Sequence, residues 1–241
     1  MSEAPLTEIV PPPPRGRSFE REIVPGLADA TGSGRVRLDA IARWLQDVAY
    51  ADIVDAGLAA RGAWVVRSSR MRVEAFPRFG TPVSVRTFCS ATGRLAAERR
   101  TSASGGEAAV ETVAMWIHVD TETLRPLRLG EEFQAVYGES AGSRKANFHL
   151  GHADPPAETE RSPWRFRASD LDIAGHVNNA AYWEPVEELF AQIGEPESVD
   201  LEIEFREPAH PGDAEILRSG PMMWVTGPGD AIHASIAGLP G

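Results

Sequence analysis

Residues 172–194 read DIAGHVNNAAYWEPVEELFAQIG, and residues 31–57 read TGSGRVRLDAIARWLQDVAYADIVDAG. Set against one another at Gly175 and Gly34, they are two copies of one pattern. Each is a glycine turn, an amphipathic run, and a second glycine, Gly57 or Gly194, where a helix C-cap belongs. Ile41, Trp44, Leu45, Val48 and Ile53 recur at helical spacing in one run, and Tyr182, Val186, Leu189 and Phe190 in the other. Behind each helix comes the same strand–turn–strand, MRVEAFPRFGTPVSVRTF (71–88) and LEIEFREPAHPGDAEILR (201–218). Pro77 and Gly80 match Pro208 and Gly212, with one extra residue in the second copy. Further strands are predicted at 95–103 and 108–120 in the first copy and, more weakly, at 221–227 and 231–239 in the second.

One long helix followed by antiparallel strands is an α+β unit, and this chain predicts two in tandem. The expected organisation is a disordered tail over 1–17, a first repeat over 18–137, a polar linker over 138–163 and a second repeat over 164–241. The start, MSEAPLTEIVPPPP, lacks the basic and apolar regions of a signal peptide.

The block Asp172–Tyr182 concentrates the chemistry. Asp172 lies three residues before Gly175, just ahead of the predicted helix, where it could act on a carbonyl or simply cap the helix. His176 could orient that acid or carry a proton. The Gly175 and His176 N–H groups are candidates to stabilise an oxyanion. Asn178 and Asn179 suit pinning the loop, and Tyr182 with Trp183 suits the core or a substrate pocket. In the first copy Thr31 stands opposite Asp172, Arg35 opposite His176 and Arg37 opposite Asn178, so acid and imidazole are both lost. This predicts one active site per chain, on the second repeat.

The pattern D-L-D-x-x-G-H-V-N-N-x-x-Y, running on to Glu187, resembles the signature of hotdog thioesterases. Arg35-Val36-Arg37-Leu38, Trp44–Ala49, Gly57, Met71-Arg72-Val73, Thr112–Trp116 and Thr123–Leu127 narrow the resemblance to the acyl-acyl-carrier-protein (acyl-ACP) thioesterases, built from two hotdog halves. It runs through most of residues 18–217. It implies a double hotdog, two tandem helix-wrapped antiparallel sheets. It also implies hydrolysis of fatty acyl-ACP in fatty acid biosynthesis, with no cofactor or metal. The implied catalytic candidates are Asp172, His176 and Asn178, with Glu188 and Glu207 as reserve acids; Gly175, Val177, Asn179 and Tyr182 would contact substrate.

Two departures stand out. The family typically reads D-L-D-x-N-x-H-V-N-N, and Ala174 replaces the asparagine assigned to catalysis. The family also carries a glutamate, often followed by cysteine, after the second helix. The matching stretch is Phe205-Arg206-Glu207-Pro208-Ala209-His210, where Glu207 fits only with a one-residue shift. The form seen here is closer to single-hotdog acyl-CoA thioesterases. Acyl-CoA hydrolysis and non-catalytic acyl binding therefore stay open, as does a homodimer.

Composition bounds the rest. With 42% hydrophobic and 24% charged residues the 241-residue chain can bury a core. A single cysteine, Cys89, excludes an internal disulfide and suits a reducing, cytoplasmic setting. No apolar run approaches a membrane span. A net charge of −11 argues against nucleic acid, yet residues 61–100 hold nine arginines against Glu74 and Glu98. That stretch is either a docking patch for an acidic carrier or a solvated strand face. The remaining histidines lack zinc-ligand spacing, and no Gly-x-Ser-x-Gly marks a serine hydrolase.

Overall fold

A computed structural model describes residues 6–59 and 62–240. Its strands are β1 (Phe19–Ile23), β2 (Ala63–Ala75), β3 (Val83–Thr92), β4 (Ala96–Gly105), β5 (Ala108–Val119), β6 (Glu160–Phe166), β7 (Val199–Phe205), β8 (Gly212–Ser219), β9 (Met222–Thr226) and β10 (Ile232–Ala237). Its helices are α1 (Leu38–Asp55), α2 (Glu131–Ala141) and α3 (Glu184–Ile193). The ten strands form one sheet in the order β1-β3-β4-β5-β2-β7-β10-β9-β8-β6, and every pairing is antiparallel. Outward from the central β2–β7 pair, the two sides repeat the same order of elements. The seam runs in register from Ser68 opposite Glu204 to Val73 opposite Val199. This is a double hotdog.

The apolar stripes of α1 and α3 share one core. Leu38, Ile41, Trp44 and Val48 on α1 join Val186, Leu189 and Phe190 on α3, with Met71 and Val73 of β2 and Leu201 and Ile203 of β7 beneath them. The main core draws on both halves, so the burial that stabilises one stabilises the other. No helix among the described residues is long and apolar enough to cross a membrane.

Several elements differ from the sequence expectation. The second helix does not begin at the glycine turn. A 3-10 turn over Asn179–Trp183 comes first, and α3 starts at Glu184 because Pro185 is tolerated only in a helix's first turn. Helix α2 was not expected; it crosses the 137/138 boundary and packs Phe133, Tyr137 and Ala141 against Ile53, Cys89 and Ala97. β6 begins inside the expected linker, and as an edge strand it can hold Pro163.

Within residues 6–17, expected to be disordered, Thr7 and Val10 are tied to the sheet and Arg17 to α1; residues 1–5 are outside the described residues. Thr7 donates to Glu202 from its backbone N–H at 2.9 Å and its hydroxyl at 2.5 Å. Arg70 donates to the Thr7 carbonyl at 2.5 Å, and Arg100 to the Val10 carbonyl at 2.8 Å. The segment 144–154 does the same beside it. Gly151 and His152 N–H groups bond Glu204 at 2.5 and 3.0 Å, and Arg206 donates to the His152 carbonyl at 2.5 Å. The two segments act as straps across one sheet face, and the charges on β2, β4 and β7 serve as their anchors.

That accounts for much of the arginine-rich stretch. Arg70 pairs with Asp200 at 2.6 Å, Arg99 with Asp52 at 2.7 Å and Arg100 with Glu111 at 2.5 Å, while Arg67 lies over the Phe148 ring. Arg78, Arg86 and Arg94 stay exposed, and Arg61 is outside the described residues. Four of the nine arginines are thus engaged within the molecule.

Candidate active site

The loop before the second helix is a tight hairpin closed by the Leu171–Val177 bridge. The Asp172 N–H donates to the His176 carbonyl and the Gly175 N–H to the Asp172 carbonyl, both at 3.0 Å, and the Asn178 N–H donates to the Asp170 carbonyl at 2.8 Å. Gly175 sits at φ 77°, a conformation that side chains resist. The first repeat builds the same loop. Thr31 donates to the Arg35 carbonyl, Gly34 to that of Thr31 and Arg37 to that of Asp29, with Gly34 at φ 82°. The match of Thr31 to Asp172, Arg35 to His176 and Arg37 to Asn178 therefore holds in hydrogen bonding. Val36 and Val177 donate to the Pro77 and Ala209 carbonyls, so Pro77 corresponds to Ala209 rather than to Pro208.

This geometry revises two expectations. Asp172 does not cap the helix. Its carboxylate accepts the Ala174 N–H at 2.8 Å, and it is Asn178 that caps the 3-10 turn ahead of α3, its side-chain oxygen accepting the Ala180 N–H at 2.8 Å. The Gly175 N–H already serves the Asp172 carbonyl, so it is not free for an oxyanion.

The sequence candidates divide by position. Asp172 and His176 are half-buried on the loop, and the His176 ring lies 5.2 Å from that of His210. Val177 is buried beneath them. Tyr182 is buried too; its hydroxyl accepts the Ala209 N–H at 3.2 Å, and burial pushes its phenol up to about 12. Asn179 lines a cavity. Glu188 and Glu207 are exposed, and among the described residues no hydrogen bond or ion pair joins either side chain to the loop.

Sequence reading missed Gln46. From α1 in the other repeat, it forms a reciprocal amide pair with Asn178, both bonds at 3.1 Å. Its counterpart, by the glycine alignment, is Glu187. That carboxylate is buried on α3, ion-paired with Arg35 and accepting the Leu38 N–H at 2.7 Å. Each helix thus braces the start of the other. The signal in the sequence was a polar residue at one matching place in two apolar helices.

The cavity passes beneath α1, lined in turn by Phe205 of β7, Ser69 of β2, Trp116 of β5 and Thr101 of β4, with Gln46, Asn179 and Trp183 also on its wall. Four neighbouring strands span roughly 14 Å at ~4.8 Å spacing. Its free volume is ≈ 30 Å³, space on the order of one or two waters. An acyl chain would have to move side chains aside to enter. Arg99 also lines it, tied to Asp52, which further holds Arg17 at 2.7 Å and the Tyr137 hydroxyl at 3.0 Å. Burial pushes the Cys89 thiol up to about 12, which favours the protonated thiol over the thiolate there.

Comparison with known proteins gives the chain a setting. The family model for the acyl-ACP thioesterase N-terminal domain matches residues 17–137, and that for the C-terminal domain matches residues 153–218. An uncharacterized Mycobacterium tuberculosis protein, Rv2001, is 28% identical over 161 residues, 66% of this chain and 64% of its own length. The chloroplastic oleoyl-acyl carrier protein thioesterase 2 of Arabidopsis thaliana is 22% identical over 195 residues, 69% of this chain and 52% of its own. The chain thus spans between half and two thirds of the curated relatives it matches. In fold it resembles an acyl-ACP thioesterase from Bacteroides thetaiotaomicron, with TM-score 0.76, 16% identity and coverage of 92% and 97% of the two chains. The 12:0-ACP thioesterase from Umbellularia californica gives TM-score 0.71, 18% identity and coverage of 93% and 97%.

Proposed function

The chain belongs to the acyl-ACP thioesterase family, and from that premise we propose that it hydrolyses fatty acyl-ACP to a free fatty acid and the carrier, in fatty acid biosynthesis. The observation that carries this reading is the narrow cavity reaching Asn179 and Gln46, beside the loop that holds Asp172 and His176. The acyl chain would lie under α1 in the first repeat, with its thioester at the loop of the second.

A thioester carbonyl is already electrophilic, so its hydrolysis needs a held water, a base and charge stabilisation on oxygen. Asp172 is assigned the activation of water. His176 beside it handles protons. Asn178, locked by Gln46, fixes the loop, while Val177 and Tyr182 hold Ala209 and the segment that follows.

Acyl-CoA remains the second reading, favoured by the internal pairing of Arg70, Arg99 and Arg100, which withdraws three charges of the stretch 61–100 from an acidic carrier. The test is thiol release from matched acyl-ACP and acyl-CoA panels by the purified protein. Faster turnover of acyl-ACP at each chain length is expected. Preference for acyl-CoA moves the assignment to that carrier, and no release from either panel overturns the thioesterase reading.

A further inference from the structure

Ala209 is the fixed point of the segment after β7. It is 1% exposed, its carbonyl accepts the Val177 N–H at 3.0 Å, and its N–H donates to the Tyr182 hydroxyl at 3.2 Å. Both partners belong to the block that carries the site. The next residue, His210, is thereby held over the loop, its ring 5.2 Å from that of His176 and tilted by 60°. His210 is exposed while His176 is half-buried. Two imidazoles so placed can bridge one water, and imidazole is the side chain best suited to exchange protons near neutral pH. Other titratable groups on these elements are Asp170 and Asp172 on the loop, Glu207 before His210, and His233 on β10, whose ring contacts the Glu207 carbonyl at 3.2 Å.

We infer that His210 is a catalytic residue, the acid that protonates the departing thiolate, working as a pair with His176. This rests on the thioesterase reading. Water oxygen bonds to the carbonyl carbon, and its proton passes to the neutral His176 ring, with Asp172 polarising the water. When the tetrahedral intermediate collapses, the carbon–sulfur bond breaks and sulfur takes its proton from the His210 imidazolium. The charge on His176 then returns to His210 through the bridging water, which resets both rings. The assignment of roles follows burial. The acyl chain runs inward toward the cavity, so the thiol leaves outward, on the side of the more exposed ring.

The test compares wild type with His210→Ala and His210→Gln on the better substrate of the two panels. Both variants should keep the wild-type melting temperature, since the side chain is exposed. Turnover should fall on the order of 10²-fold with KM nearly unchanged, and the limb of the pH–kcat profile set by the acid should vanish. Wild-type turnover, or a profile with both limbs intact, overturns the inference. If the wild-type protein itself releases no thiol, the functional reading has failed separately. NMR of the imidazoles still decides the pairing in that case. Loss of His210 must move the His176 ring resonances, since the rings lie 5.2 Å apart, and unmoved resonances remove the pair.

Discussion

Asp172 spends a carboxylate oxygen on the Ala174 N–H at 2.8 Å, a bond that an asparagine oxygen can also accept. Asp172→Asn should therefore keep the loop and the melting temperature while thiol release falls about 10²–10⁴-fold. Turnover close to wild type would leave Asp172 a turn residue only. A neighbouring acid gives a different signal. Burial, then the charge of Asp170, holds the Glu184 carboxyl above its ordinary range. A carboxyl raised in this way keeps its proton longer in the folded chain than in the unfolded one. Its stability contribution is full below the unfolded pKa and is lost as pH rises through the folded pKa. Glu184→Gln removes the charge and keeps the shape. The variant should melt higher than wild type at pH 7, with the gap closing near pH 4; an equal gap at both pH values would contradict the assignment.

The helices meet through matched braces of unequal chemistry, the Gln46–Asn178 amide pair and the buried Arg35–Glu187 ion pair. Losing one partner of a neutral pair costs about 1–3 kcal/mol, whereas an uncompensated buried charge costs roughly 3–5. A double-mutant cycle on Gln46→Ala and Asn178→Ala should give a coupling of about 1 kcal/mol in denaturant unfolding. Additive single losses would show the pair to be incidental. These braces also mark how far the sequence could be read. Glycine turns, helical spacing and paired hairpins gave the duplicated architecture, because local pattern and tertiary outcome agree there. Helix α2 escaped notice because Gly138 interrupts it and its apolar side is short, Phe133, Val136, Tyr137 and Ala141; packing on β3 decides its conformation. Within the proposed site, the loop that carries Asp172, His176 and Asn178 could be read from one short motif. Gln46 and His210 could not, since each reaches the loop by a contact distant in sequence.

Across the whole molecule, straps cover a sheet face that presents Glu98, Arg100, Glu202 and Glu204, each less than a tenth exposed. A chain beginning at Ser18 loses the Thr7 and Val10 contacts and the Arg17–Asp52 pair. Hydrogen bonds to charged groups contribute about 1.5–3 kcal/mol each, and a chain of this size shifts roughly 2–4 °C per kcal/mol, so a drop of at least roughly 5 °C is expected by calorimetry. An unchanged transition would mean that the strap contributes nothing. The second strap ends before Pro155–Thr159, where Pro156, Ala157 and Glu158 are exposed. The β2–β7 seam and the common core tie the flanking pieces together without help from this short connection. Cutting between Pro156 and Ala157 would turn one folding reaction into an association of two unequal fragments, with strap residues Gly151 and His152 of the larger gripping Glu204 of the smaller. Co-expressed as 1–156 and 157–241, the fragments should copurify and regain thiol release, with a melting temperature that rises with concentration as mass action requires. Severed from its partner, each fragment should be unfolded or aggregated; a folded, monomeric 157–241 would show that the duplication never gave up its independence.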